Sequence, residues 1–249
     1  MIEERFIDGR SIIHGLDPRG KILVATAFSI VAAGSNRVSS LVPALILALF
    51  FVFLARLPWK RVLSRLFLVN GMLLLVWVFL PFSIEGEPLF KLGPLIATRE
   101  GTAHSLLITL KSNAIILALM ALMATMSLFT MGRAMRNLRV PTKIVQLFFF
   151  TYRYIHVIYS EYNRMNRTIK ARGFRPGNNI HTYRTYAHLV GMLLIKSQER
   201  AERVRAAMIC RGFRGDFYDL SEWTFQVSDW VIIGLMLLSV MGIAFLEWG

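Results

Sequence analysis

Apolar residues in this chain come in long, nearly unbroken runs rather than in the alternating patterns of soluble helices and strands. Residues 22–36 form the first run, residues 39–55 the second, residues 66–84 the third, residues 105–131 the fourth and residues 230–246 the last. A bilayer core is crossed by about 20 mostly apolar helical residues. The runs therefore predict an all-α, polytopic membrane protein with about five transmembrane helices, the first short and the fourth carrying Lys111 in its first half. Between the fourth and last runs lie about a hundred residues that are basic, periodic and not plainly spanning. Within them, residues 144–159 are apolar and aromatic but contain Arg153 and His156. An ionisable residue at bilayer depth is costly. The segment is expected to lie near the cytoplasmic interface, with Tyr152, Tyr154 and Tyr159 as amphipathic anchors, the alternative being a sixth span. The organisation expected is a membrane part over 1–132, a basic helical region over 133–229 on one side of the membrane and a final span over 230–249.

Composition agrees with this pattern: 55% of the 249 residues are hydrophobic and only 18% charged. The first 21 residues are charged and broken by Gly and Pro, with no continuous apolar core of a cleaved leader, so the first run is expected to be retained. The formal charge of +14 has three candidate meanings: attraction to anionic lipid, a nucleic-acid surface, or orientation of the spans. Position decides. Of the 29 Lys and Arg, 25 fall in alternate segments that share one side if the N-terminus is cytoplasmic. The charge thus reports topology in an inner (cytoplasmic) membrane, and no nucleic-acid partner is expected.

A four-residue word breaks the apolar theme. Arg-Gly-Phe-Arg occurs at 172–175 and again at 211–214. Aligning the copies places Arg164 on Arg203, Gly173 on Gly212, Phe174 on Phe213 and Arg175 on Arg214. The residues upstream of each copy lack Gly and Pro and read as helices. Gly just after a helix favours a left-handed cap, in which Phe174 is expected to meet Ile169 and Phe213 to meet Met208. Arg172 and Arg211 also suit the negative end of the helix dipole. Capping accounts for the glycines and phenylalanines. It does not account for two successive helices ending alike on an arginine whose planar fork grips carboxylates.

Three features together resemble the transmembrane T component of energy-coupling-factor (ECF) transporters, and residues 151–174 are similar to its cobalt branch, CbiQ. The three features are Leu-Asp-Pro-Arg at 16–19, Ala-Arg-Gly at 171–173 and Cys-Arg-Gly at 210–212, in a chain that is otherwise multi-span. The second motif departs from the family pattern by placing Cys210 where Ala171 stands in the first; both are small. The resemblance implies a non-enzymatic coupling subunit without cofactor, which links a pair of ABC ATPases to a separate substrate-binding membrane subunit, with cobalt the expected cargo. It further implies that Ala171, Arg172, Gly173, Cys210, Arg211 and Gly212 bind the ATPases, with Arg164, Arg203, Phe174, Phe213, Arg175 and Arg214 in support.

Other readings stay open at this point. The cargo is alternatively nickel or a vitamin. A permease binding its own substrate would use Lys111, although that side chain sits where it can also snorkel to the interface. A membrane enzyme would need converging acids, bases or metal ligands. The five histidines, His14, His104, His156, His181 and His188, show no ligand spacing, and no phosphate-cradling Gly-rich loop is present. Asp17 beside Pro18 reads as well as a turn or N-cap as a functional acid. Met120, Met123, Met126 and Met131 read more simply as adaptable packing than as soft-metal ligands.

Overall fold

The structure is a computed structural model that describes residues 11–84, 87–92, 95–213 and 227–248. Its elements in order are α1 (Ile12–Gly15), α2 (Pro18–Gly34), α3 (Val38–Leu54), α4 (Trp59–Ser83), β1 (Pro88–Leu92), β2 (Leu95–Thr98), α5 (Arg99–Leu122), α6 (Leu128–Asn137), α7 (Thr142–Ala171), α8 (Ile180–Cys210) and α9 (Val227–Trp248). The chain divides into two compact units, one holding α7 and α8 and the other the helices before residue 135 together with α9.

In the unit that holds the apolar runs, α5 packs against α2, α3 and α4, and α9 packs against α2 and α3. Small side chains line these seams. Ala25 and Ala32 of α2, Ala44 and Ala48 of α3, and Ala114, Ala118 and Ala121 of α5 are all buried. Small residues let helix backbones approach closely in a solvent where apolar burial itself gains little. Phe28 and Phe51 fill the remaining core space edge to face, with centroids 6.4 Å apart. The outward faces are apolar too: Phe67 on α4 is 84% exposed, and Met72 and Phe79 beside it are also open. Patches of this size on a soluble protein would drive association; against lipid they cost nothing. Among the described residues, three helices are long and apolar enough to cross a membrane: α4, α5 and Asp229–Trp248 of α9. The apolar α3 is a shorter one, of 17 residues.

The fourth apolar run departs from its expected bounds. The helix begins at Arg99, not Ser105, and ends at Leu122, not Met131. Past that point the Thr125 hydroxyl donates to the carbonyls of Ala121 and Leu122. Ser127 then accepts from the Thr130 amide at 3.1 Å, starting α6. Side-chain bonding of this kind competes with a continuing helix, and hydropathy alone does not register it. A second departure is the hairpin β1–β2, which joins α4 to α5 with Phe90 opposite Ala97 and Leu92 opposite Leu95. Thr98 anchors it, donating to the Ile84 carbonyl at 2.7 Å and N-capping α5 by accepting from the Gly101 amide.

Polar side chains pin the apolar helices together. Asn70 of α4 and Asn113 of α5 exchange amide hydrogen bonds of 3.1 and 3.0 Å, and the Trp77 indole donates to Thr109 at 2.9 Å. Lys111 reaches the end of a neighbouring helix. Its ammonium donates to the Ala33 carbonyl at 3.1 Å and to Asn36 Oδ1 at 3.0 Å, at the C-terminal end of α2. Glu247, near the end of α9, accepts from the amides of Asn36 and Arg37 and from the Ser40 hydroxyl, at the N-terminal end of α3.

In the other unit, residues 144–159 are continuous with the polar residues after them. They form the first half of α7, one continuous helix of 30 residues. This helix is not among those apolar enough to cross a membrane. The helix α8 is of nearly equal length, 31 residues.

Candidate functional site: two Arg-bearing helix stops

Both copies of the repeated word end a helix by the same set of backbone bonds. At the end of α7, Arg172 is the C-cap and its amide donates to the carbonyls of Thr168 and Ile169. Gly173 follows at φ +83°. Its amide reaches the Lys170 carbonyl at 3.0 Å, and the Phe174 amide reaches the Ile169 carbonyl at 3.2 Å. At the end of α8, Arg211 takes the same place with Gly212 at φ +77°. The Gly212 amide reaches Ile209 at 2.9 Å and the Phe213 amide reaches Met208 at 3.0 Å. These are the paired 5→2 and 6→1 bonds of a Schellman cap. Only a residue tolerant of the left-handed region completes them without strain.

The caps leave the arginines unemployed. Arg172 and Arg211 are exposed, and neither makes an ion pair among the described residues. Ala171 and Cys210 are the exposed last residues of their helices. Apart from its own chain neighbours, no described residue comes within 4 Å of where a Cβ would stand on Gly173 or Gly212, so a partner surface has access to the backbone there. Arg175 is exposed beside the first stop, and Arg214 lies outside the described residues. Arg164 and Arg203 are otherwise engaged: Arg164 bonds Glu161 at 2.7 Å, and Arg203 stands 3.8 Å from Glu199. They hold their own helices rather than extend the exposed tips.

The two stops are far apart and differently backed. With 31 residues in α8, a rise of 1.5 Å per residue puts its two ends about 45 Å apart. The first stop borders its beginning and the second is its end. The Phe174 ring packs on His181 and Tyr186 in the first two turns of α8, with centroids 6.1 and 5.8 Å away. Asn179 caps that helix, accepting from the amide and hydroxyl of Thr182, whose oxygen in turn receives the Gly177 amide. The first stop is thereby folded back onto the next helix. At the second, Phe213 instead joins Met208 in the wall of a groove between α7 and α8.

Glu161 joins the two helices: Lys196 of α8 and Arg164 both bond its Oε1 at 2.7 Å. The Lys196 bond, then that of Arg164, holds its carboxyl below the usual carboxylate range. The sequence singled out neither Glu161 nor Lys196. Glu161 stands three residues before Arg164 on one helix face, but its partner 35 positions away has no local signature.

The early Leu-Asp-Pro-Arg motif is accounted for inside the membrane unit. Leu16 is buried, and Asp17 N-caps α2 by accepting from the Arg19 amide at 2.8 Å, with Pro18 in the first turn. A Cβ on Gly20 would stand 2.0 Å from Ile233 Cδ1, so this glycine permits the close approach of α9. Lys21, only 3% exposed, lies in the field of Asp17 and of Asp229 on α9. The motif is a helix start and a helix–helix contact.

Comparison with known proteins places the chain in a family. The model of the CbiQ family, described as cobalt transport protein, matches residues 9–221. The chain is similar to the energy-coupling factor transporter transmembrane protein EcfT of Streptococcus equi, 28% identical over 98% of this chain and 94% of that one. It is also similar to the EcfT of Thermosediminibacter oceani (25% identical, 85% and 83% covered) and to that of Bacillus subtilis (24%, 97% and 96%). Matching along most of its length, the chain belongs to the CbiQ/EcfT family, the transmembrane T component of ECF transporters.

Proposed function

We propose that this T component couples a pair of ABC ATPases to a substrate-binding membrane subunit by inserting its two arginine-tipped helix ends into separate acidic sockets. The observation that carries this reading is the duplication itself. Two long helices end in the same Schellman geometry, each presents one exposed arginine without a partner among the described residues, and the tips stand about 45 Å apart. One socket cannot take both, whereas two ATPase subunits offer two. Arg172 and Arg211 supply the bidentate grip on carboxylates, Gly173 and Gly212 the bare backbone that allows close approach, and α7 and α8 the stiff levers. The tips face the cytoplasm, with the N-terminus on the same side, because 25 of the 29 Lys and Arg fall in segments of that side.

The cargo proposed is cobalt, supported by the description of the matched family. The chain acts as a transporter subunit, with ATP hydrolysis placed in its partners. A substrate site of its own at Lys111 finds no support, since that ammonium is occupied by the carbonyl end of α2.

The test is co-purification of the tagged chain with its ATPases, alongside uptake of radiolabelled cobalt, nickel and vitamins by cells expressing the whole system. Arg172→Ala with Arg211→Ala is expected to lose at least tenfold in ATPase recovery, as follows from removing two charge-assisted contacts, and to abolish uptake. Normal recovery and uptake by the double variant would sink the docking role. Uptake confined to nickel or a vitamin would overturn the cargo alone.

A further inference from the structure

The groove between α7 and α8 has a volume of about 670 Å³ and lies wholly within their unit. Its walls are apolar, formed mainly by Phe150, Tyr154 and Val157 of α7 and by Leu193, Met208 and Phe213. Among the described lining residues the one acid, Glu161, is already neutralised by Lys196 and Arg164. Two further lining residues, Arg200 and Arg205, make no ion pair among the described residues. An apolar trough edged by two unspent guanidinium groups matches an amphiphile with a negative head.

Position selects among such ligands. From Phe150 to Glu161 the groove runs about 16 Å along α7. The flanks are suited to a membrane surface: Ile155, Ile158, Val190, Leu194 and Ile195 are exposed apolar residues on these two helices. Basic side chains beside such a surface attract anionic headgroups.

We propose that this groove binds one anionic phospholipid, its acyl chains along the apolar wall and its phosphate held by Arg200 and Arg205. The site is distinct from the two arginine tips and stands whatever those tips bind. It touches the second stop all the same, because Phe213 lies two residues beyond Arg211 and forms part of the wall. Lipid in the groove therefore bears on the position of that tip and not on the first, whose Phe174 faces His181 and Tyr186.

The test is native mass spectrometry of the purified full chain, delipidated and then titrated with phosphatidylglycerol or with phosphatidylcholine of identical acyl chains. One phosphatidylglycerol is expected to be retained at least tenfold more strongly than phosphatidylcholine. Arg200→Gln with Arg205→Gln is expected to erase that preference while leaving phosphatidylcholine retention unchanged. Ala201→Trp, which fills the groove, is expected to remove the bound lipid of either kind, with thermal melting monitored so that an unfolded variant is not scored. Equal retention of the two lipids by the unaltered chain would overturn the proposal, as would a preference indifferent to both variants. Glycerol 3-phosphate competing as well as the whole lipid would leave a phosphate site without an acyl groove, and so also count against it. Capture of an acidic amphipathic peptide with no lipid retained would replace the lipid by a protein occupant.

Discussion

At Gly173 and Gly212 the backbone, not the space around it, dictates the residue. Both sit in the left-handed region with nothing within 4 Å of an added Cβ. Gly→Ala at either position is therefore expected to cost about 1–2 kcal/mol through backbone strain alone, with Gly→Asn costing less. Thermal melting in detergent reads this, and alanine and asparagine variants melting alike would refute it. Arg172→Ala should leave melting unchanged and lower ATPase recovery, which separates the cap from the grip. Gly20 is the opposite case, with space limiting and φ ordinary. Gly20→Ala pushes on Ile233 Cδ1 and is expected to cost roughly 1–3 kcal/mol as an overpacked contact. It should cost less in an Ile233→Ala background, and equal losses in the two backgrounds would show that the contact is not the cause. The Schellman glycines were legible in the sequence because a cap is local, fixed by a glycine after a helix-forming run. The role of Gly20 was not, because its partner lies 213 positions away.

Among the elements, α7 and α8 illustrate where hydropathy misleads. The apolar start of α7 and its polar end have such different compositions that the sequence splits them, yet backbone hydrogen bonding continues across the change without a breaking residue. What joins α7 to α8 is a polar bridge from Glu161 to Lys196. Because the folded state depresses the Glu161 pKa, its contribution is full above the ordinary glutamate value of about 4.3. It disappears as pH falls through the depressed folded value. Proteolysis within α7 and α8 is expected to rise as the medium is acidified below that ordinary value, and Glu161→Gln should remove this pH dependence by making the pair equally loose throughout. An unaltered chain whose protection stays flat down to full carboxylate protonation would contradict the bridge. The hairpin β1–β2 is the other element the sequence hid, since two strands of five and four residues carry too few alternations to register.

Across the membrane unit, two charges that look expensive in an apolar bundle resolve into a single device at the α2–α3 turn. Lys111 of α5 meets the carbonyl end of α2, and Glu247 of α9 meets the amide end of α3. Each has the sign that its helix end favours, and together they tie α5 and α9 to the same turn. The arrangement also puts the end of α9 beside the end of α2 and the start of α3. The runs made the apolar helices legible, but nothing local signals that Lys111 closes a contact 78 residues away and Glu247 one 211 away. Since the two charges serve separate helix ends rather than each other, exchanging them should not compensate. Lys111→Met and Glu247→Gln are each expected to lower the melting temperature of the purified chain. Lys111→Glu with Glu247→Lys is expected to melt below either, because both helix ends then face a charge of the wrong sign. Recovery of stability in the exchanged variant would mean that the two residues act as an ordinary ion pair, and the capping account of the turn would have to be abandoned.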